Sequence, residues 1–173
     1  MSAGVCVRVL GTAEYEGFLA HMMRLDSETR ALRFAAGVDD HFVMSHCLGR
    51  ILRSGFIVGA FADGGLVGAC EVDADDDKAV AELAFSVEKP FRGTGIGKTL
   101  MRTAVEAAHA AGIGALRIDA AGSPAMIRIA ALAGFIASRD GGLTCQLRQP
   151  TVADAGSAAG SPWFRRLLRL RAA

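Results

Sequence analysis

Residues 56–88, FIVGAFADGGLVGACEVDADDDKAVAELAFSVE, constrain the fold more than any other stretch of the chain. Three apolar runs are broken by two turn signals, ADGG and DADDDK. That spacing predicts an antiparallel meander over about 56–62, 65–73 and 79–87. Directly behind it comes FRGTGIGKTL, residues 91–100, and then apolar positions at helical spacing as far as Ala111. A sheet therefore hands the chain through glycines into a long helix, and an all-helical or all-strand fold is excluded.

The rest of the chain fits around that unit. VCVRVL reads as a first strand, and Thr12 stands where it can cap the following helix, AEYEGFLAHMMRL. DSETRALRFAAGVDD reads as a polar connection, and HFVMSHCLGRIL as a second amphipathic helix. After the glycines the helix runs from about Gly95 to Ala111, followed by a buried strand, ALRID. SPAMIRIAALAGF gives a short helix ending at Gly134, and IASRDGGLTCQLRQ a closing hairpin. The order is β-α-α-β-β-β-α-β-α-β-β. It predicts one α/β domain of α+β type over 1–149, a mixed, largely antiparallel twisted sheet of about six to seven strands flanked by helices. Beyond it, 150–173 is an Ala/Gly/Ser linker ending in a short basic amphipathic segment, WFRRLLRLRAA. Such an end can lie on an anionic membrane, dock on its own domain or a partner, or stay disordered. A mobile or self-docked appendage is the expectation.

Charge narrows the class of partner. Arg165, Arg166, Arg169 and Arg171 lie in the tail, so residues 1–161 hold 15 basic and 18 acidic groups, a balance of −3. Such a domain has no electrostatic reason to bind nucleic acid. Cys6, Cys47, Cys70 and Cys145 are far apart, without CxxC or ligand-spaced His. They read as reduced thiols of a cytoplasmic protein, and no metal is expected. The N-terminus lacks the pattern of a signal peptide, and no stretch is apolar for long enough to span a bilayer. His21, His41, His46 and His109 are scattered over the helices and read as surface or core polar residues.

The glycine loop carries the functional signal. Gly97, Lys98 and Thr99 supply the end of a P-loop, G-x-x-x-x-G-K-[ST], but its first glycine would fall on Arg92. The Rossmann spacing fails as well, since six positions from Gly93 or Gly95 end on Lys98 or Leu100. What remains is the physics common to both. A strand ends, glycines permit an unusual path, and a helix begins with free N–H groups and a positive dipole end. That nest favours an anion, and Arg92 and Lys98 add cations beside it.

VEKPFRGTGIGKTLM resembles the acetyl-CoA motif R/Q-x-x-G-x-G/A of the GNAT acyl-CoA N-acyltransferases, read as Arg92-Gly93-Thr94-Gly95-Ile96-Gly97. The likeness spans roughly 5–148, because the elements on both sides follow the same order. The family's distal signature, Asn, a short helix and Gly-Phe, is matched by SPAMIRIAALAGF with Gly134-Phe135, and Ser123 stands at the Asn position. HMMRLDSETRALRF is similar to a segment of bacterial protein-lysine acetyltransferase domains. The resemblance implies the GNAT fold, acetyl-CoA as acyl donor, and an amine acceptor, small molecule or protein lysine. It places the pyrophosphate on Arg92, Gly93, Thr94, Gly95, Ile96, Gly97 and Lys98. The pantetheine arm would pair with the backbone of Phe85, Ser86 and Val87, and Ser123 would offer its hydroxyl.

Amide formation needs a neutral amine, and a lysine amine is neutral in only about one molecule in 2,500 at pH 7. A carboxylate near the acceptor can take its proton. Glu82 is the one acid inside the apolar run AVAELAFSV, at the position of the glutamate that serves as base in many GNAT enzymes. Alternation equally allows Glu82 to sit on a solvated face with Val80 and Ala84; Glu71 is the second candidate. Many relatives place a Tyr seven residues after the Asn position to protonate the leaving thiolate, and here that residue is Ala130. Arg30 and Arg33 read either as holders of an acidic group on the acceptor or as a solvated helix end. These departures keep a second function open, a GNAT-fold module that senses acyl-CoA without turnover.

Overall fold

The meander sets the frame. In the computed structural model, which describes residues 4–50, 53–74, 77–119, 123–139 and 141–147, seven strands make one sheet. The elements are β1 (Cys6–Val9), α1 (Tyr15–Met23), α2 (Ser27–Phe34), α3 (Asp40–Arg50), β2 (Gly55–Ala62), β3 (Gly65–Ala74) and β4 (Val80–Val87). They continue with α4 (Ile96–Ala110), β5 (Ala115–Ile118), α5 (Pro124–Leu132), β6 (Ile136–Ala137) and β7 (Leu143–Gln146). The strand order is β1-β2-β3-β4-β5-β7-β6, antiparallel throughout except for the β4–β5 pair. No helix among the described residues is long and apolar enough to cross a membrane. The tail from 150 onward, and the expectations about it, lie outside the described residues.

Each face of the sheet carries its own core. On one face Val58, Cys70, Val72, Leu83, Leu116 and Ile118 pack under α4, whose Leu100, Met101, Ala104, Ala107 and Ala108 are buried. The alanines let that helix sit close to the strands. On the other face Ile57, Leu66 and Ala69 meet Phe18 and Met22 of α1 and Val43 and Cys47 of α3. Fully burying a side chain of the Leu, Ile or Phe class stabilises by about 1.5–3 kcal/mol, so these two clusters fix the layers.

Two sequence expectations are corrected. The polar connection after α1 contains a helix, α2, started by Asp26, whose carboxylate accepts the Thr29 amide at 2.7 Å. Its inward residues include Thr29, Arg30 and Arg33, so the polar pattern concealed a buried face. Thr12 caps nothing; it opens a single 3₁₀ turn, Thr12–Glu14, and Glu14 accepts the Gly11 amide at 2.7 Å.

Candidate functional site

The chain leaves β4 through a 3₁₀ turn, Lys89–Phe91, and crosses Arg92 in an extended conformation. Gly93 and Gly95 then take φ of +76° and +92°, a region that side chains disfavour. Ile96 is buried at the first position of α4 and pins the helix start to the core. The first amide to find a helical acceptor is Thr99, bonded to the Gly95 carbonyl at 3.2 Å. From Gly93 to Lys98 the amides have no backbone acceptor among the described residues. These amides and the exposed Lys98 in the first turn form a nest of the kind that favours an anion. Thr94 stays local, donating its hydroxyl to the Phe91 carbonyl at 2.6 Å. Gly97 is small because a Cβ there would come within 3.1 Å of Ile129 on α5. Arg92 also contacts the protein. Its Nη2 donates to Thr29 Oγ1 and its Nε to the Val87 carbonyl at 3.2 Å, so two of the five guanidinium N–H donors of this exposed residue go to the protein.

Beside the nest the sheet opens. β4 and β5 pair in parallel from Val80↔Ala115 to Leu83↔Ile118, and there the ladder ends. β4 runs on to Val87 while still paired with β3. Residues 84–87, which include the predicted Phe85, Ser86 and Val87, are thus held on one side only among the described residues. Such an edge can accept an extended, amide-bearing ligand as an added strand. A groove of about 470 Å³ also begins at the helix start, between Lys98, Thr99 and Arg102 of α4 and Ile129 and Leu132 of α5.

Ser86 turns its side chain inward. His21 Nε2 lies 2.9 Å from Ser86 Oγ, and His21 Nδ1 lies 2.9 Å from Glu88 Oε1. Burial lowers the His21 pKa against the pull of Glu88, so the ring is neutral, donating from Nδ1 and accepting from Ser86. The order carboxylate, imidazole, hydroxyl is that of an activated nucleophile. With His21 at 0% and Ser86 at 4% exposure, no substrate reaches it, and the arrangement braces α1 against β4. Cys47 and Cys70 are equally inert: burial pushes the Cys47 thiol up to about 12 and Cys70 well above its ordinary value.

The two candidate acids separate sharply. Glu82 is exposed, in one register row between Asp73 on β3 and Arg117 on β5. It sits one residue before the ladder ends, on the face that carries α1 to α3. Glu71, opposite Ala84, is 2% exposed. Its carboxylate meets Arg33 at 2.5 Å, His46 at 2.8 Å and Arg50 at 3.6 Å. Burial alone would raise its pKa, but His46 and Arg33 together outweigh burial and hold it at about 2. A carboxylate so held is a poor proton acceptor, and Glu71 is a structural anion. Arg50, itself buried, also reaches Asp73 at 3.0 Å and the Val72 carbonyl at 2.8 Å. Arg33 is therefore engaged inside the fold, and so is Arg30, bonded to Asp40 at 2.6 Å and to the Met23 carbonyl at 2.9 Å. Neither is a solvated helix end.

That network has a pH signature. The folded pKa of Glu71 lies below the ordinary 4.5, so its contribution is complete above about pH 4.5 and is lost as pH falls toward 2. Thermal unfolding followed across that window should lose on the order of 3 kcal/mol that a Glu71→Gln protein does not lose. Parallel curves for the two proteins would show that Glu71 is not the group titrating.

On α5, Ser123 caps the helix, its Oγ accepting the Met126 amide at 3.3 Å. Among the described residues no acceptor takes its hydroxyl proton. Ala130, at the position where many relatives carry a Tyr, is fully buried in the core and supplies no hydroxyl there. The sequence missed the brace and the Glu71 network because each pairs residues far apart in the chain; the lone acid in the β3 run ACEVD was the one available signal.

Compared with known proteins, residues 20–135 match the family described as Acetyltransferase (GNAT) family. Among solved structures, the fold is similar to the GNAT domain of S. lividans PAT at 20% identity and a TM-score of 0.67, covering 82% of this chain and 89% of that one. It is similar to an N-acetyltransferase from Staphylococcus aureus Mu50 at 16% identity and a TM-score of 0.65, covering 84% and 100%. It is also similar to yncA from Salmonella typhimurium, solved with its cofactor acetyl-CoA, at 17% identity and a TM-score of 0.62, covering 87% and 98%. No curated protein matches the sequence.

Proposed function

The chain belongs to the GNAT acetyltransferase family, and from that premise we propose that it transfers the acetyl group of acetyl-CoA to a primary amine by direct attack in a ternary complex. The observation that carries this reading is the juxtaposition of an open β4 edge and an amide nest at the start of α4. The amides of Gly93 to Lys98 would hold the pyrophosphate, and the backbone of Phe85, Ser86 and Val87 would pair with the pantetheine arm. Ser123 would add a hydroxyl donor. The groove between α4 and α5 suits the nucleotide end, with Lys98 and Arg102 for phosphate and Ile129 and Leu132 for a flat ring. When bound, acetyl-CoA supplies the activated thioester. A backbone N–H around Phe85 to Val87 would stabilise negative charge on the carbonyl oxygen.

Glu82 would take the amine proton; its exposure near the inner end of the opening supports this, and Glu71 is spent on its partners. The acceptor is a primary amine on a small molecule or a protein lysine. Its carboxylate, if any, finds no free Arg30 or Arg33 to bind. Free-thiol release from acetyl-CoA, measured with a panel of amines and lysine peptides, tests the activity. Glu82→Gln should lower turnover by about 10²-fold or more while acetyl-CoA affinity stays unchanged; near-normal turnover would remove Glu82 from the mechanism. Acetyl-CoA binding without thiol release for any amine would instead favour a sensing module, the reading that the missing Tyr hydroxyl at Ala130 supports.

A further inference from the structure

Arg92 stands first in the glycine loop, and its guanidinium also reaches protein groups. Nη2 donates to Thr29 Oγ1 on α2, and Nε donates to the Val87 carbonyl at the end of β4. Thr29 passes the contact on: its hydroxyl donates to Asp26 Oδ1 at 2.6 Å, and its amide donates to the same oxygen at 2.7 Å. A hydroxyl that accepts from a guanidinium and donates to a carboxylate has both of its roles filled. Thr29 is 5% exposed, so the middle of the relay is buried while its Arg92 end faces solvent; the neighbouring Lys89–Glu28 pair at 3.6 Å is exposed and counts for little. The far end of α2 is fixed as well, by Arg33 on the buried Glu71. Between those two ties α2 packs against β4. Glu71 is the cross-strand partner of Ala84, the first β4 residue beyond the β5 ladder, so α2 walls the opening on the face that carries α1 to α3.

We propose that Arg92 is a positioning residue, which couples occupancy of the anion nest to the seating of α2. The nest begins at Gly93, the next residue, so an anion that fixes those amides also fixes the backbone of Arg92 and aims its side chain at Thr29. The helix that walls the acceptor side is then firmest when the acyl donor is in place. By linkage, the seated helix favours the occupied nest by the same factor. The inference rests on the reading that the nest holds the pyrophosphate of CoA.

Hydrogen exchange of the full chain with and without CoA, together with calorimetry of CoA binding, tests it. CoA should slow exchange of the amides of 27–34 by about fivefold or more in the wild type, within the range of ordinary couplings. Thr29→Ser, which keeps the hydroxyl, should behave like the wild type. In Thr29→Val the slowing should fall below about twofold while CoA affinity stays within about threefold. Arg92→Ala should raise exchange in α2 without CoA and weaken CoA binding by less than about tenfold, as expected for an exposed charge near a phosphate. Equal protection of α2 by CoA in Thr29→Val would overturn the proposal. So would a loss of about 100-fold or more in CoA affinity on Arg92→Ala with α2 exchange unchanged, which would make Arg92 a phosphate ligand. If Thr29→Val does not fold, Arg92→Lys gives the same reading, since it keeps the charge and cannot span both partners. A wild-type protein that does not bind CoA overturns the CoA reading itself, and the calorimetry separates that outcome from the others.

Discussion

Gly95→Glu should abolish acetyl-CoA binding, lowering affinity by at least about 100-fold in calorimetry. Two effects add. Gly95 caps α4 at φ +92°, where a side chain costs roughly 1–3 kcal/mol of backbone strain. Nothing lies within 4 Å of a Cβ there, so the new side chain enters open space beside the amides and brings a negative charge to the nest. Losing two charge-assisted bonds of roughly 1.5–3 kcal/mol each already exceeds the energy of a 100-fold change. Gly95→Ala separates the effects, since it carries the strain without the charge and should bind more weakly than the wild type but more tightly than Gly95→Glu. Unchanged acetyl-CoA affinity in Gly95→Glu would remove the loop from the binding site.

The second large effect is on stability. Glu71→Gln keeps the shape of the side chain but leaves Arg33 and the fully buried Arg50 facing a neutral amide. Removing one partner of a buried ion pair costs about 3–5 kcal/mol, which for a chain of this size is a fall in Tm of roughly 10–15 °C. Combining it with Arg33→Met should recover part of the loss, because the stranded charge is then gone. A fall of less than about 3 °C for Glu71→Gln would show that water or rearrangement satisfies the arginines, and that the network is loosely held.

Much of the fold was legible because its signals are local. The meander, the glycine loop, the amphipathic α4 and the closing hairpin each rest on a period or turn chemistry contained in about ten residues. α2 was not legible. Asp26 gave a cap signal, but Thr29, Arg30 and Arg33 point inward while Leu32 is exposed, so the buried side carries the polar residues that a pattern reading assigns to solvent. The nest was legible for the same reason as the meander. The Arg92–Thr29 contact and the Glu71 network were not, and the register that sets Glu82 beside Asp73 and Arg117 emerged only with the paired strands.

By itself the sequence determined the order of elements, the antiparallel meander, and the glycines whose positive φ frees the amides ahead of α4. Those features depend on neighbouring residues and on backbone sterics, which act within a turn or two. The tertiary structure decided which charges are spent and which stay open. Arg33 meets Glu71 across 38 residues, Arg92 meets Thr29 across 63, and His21 meets Ser86 across 65. A buried charge is tolerated only where packing brings its counter-charge within a few ångströms, and no local pattern records that distance.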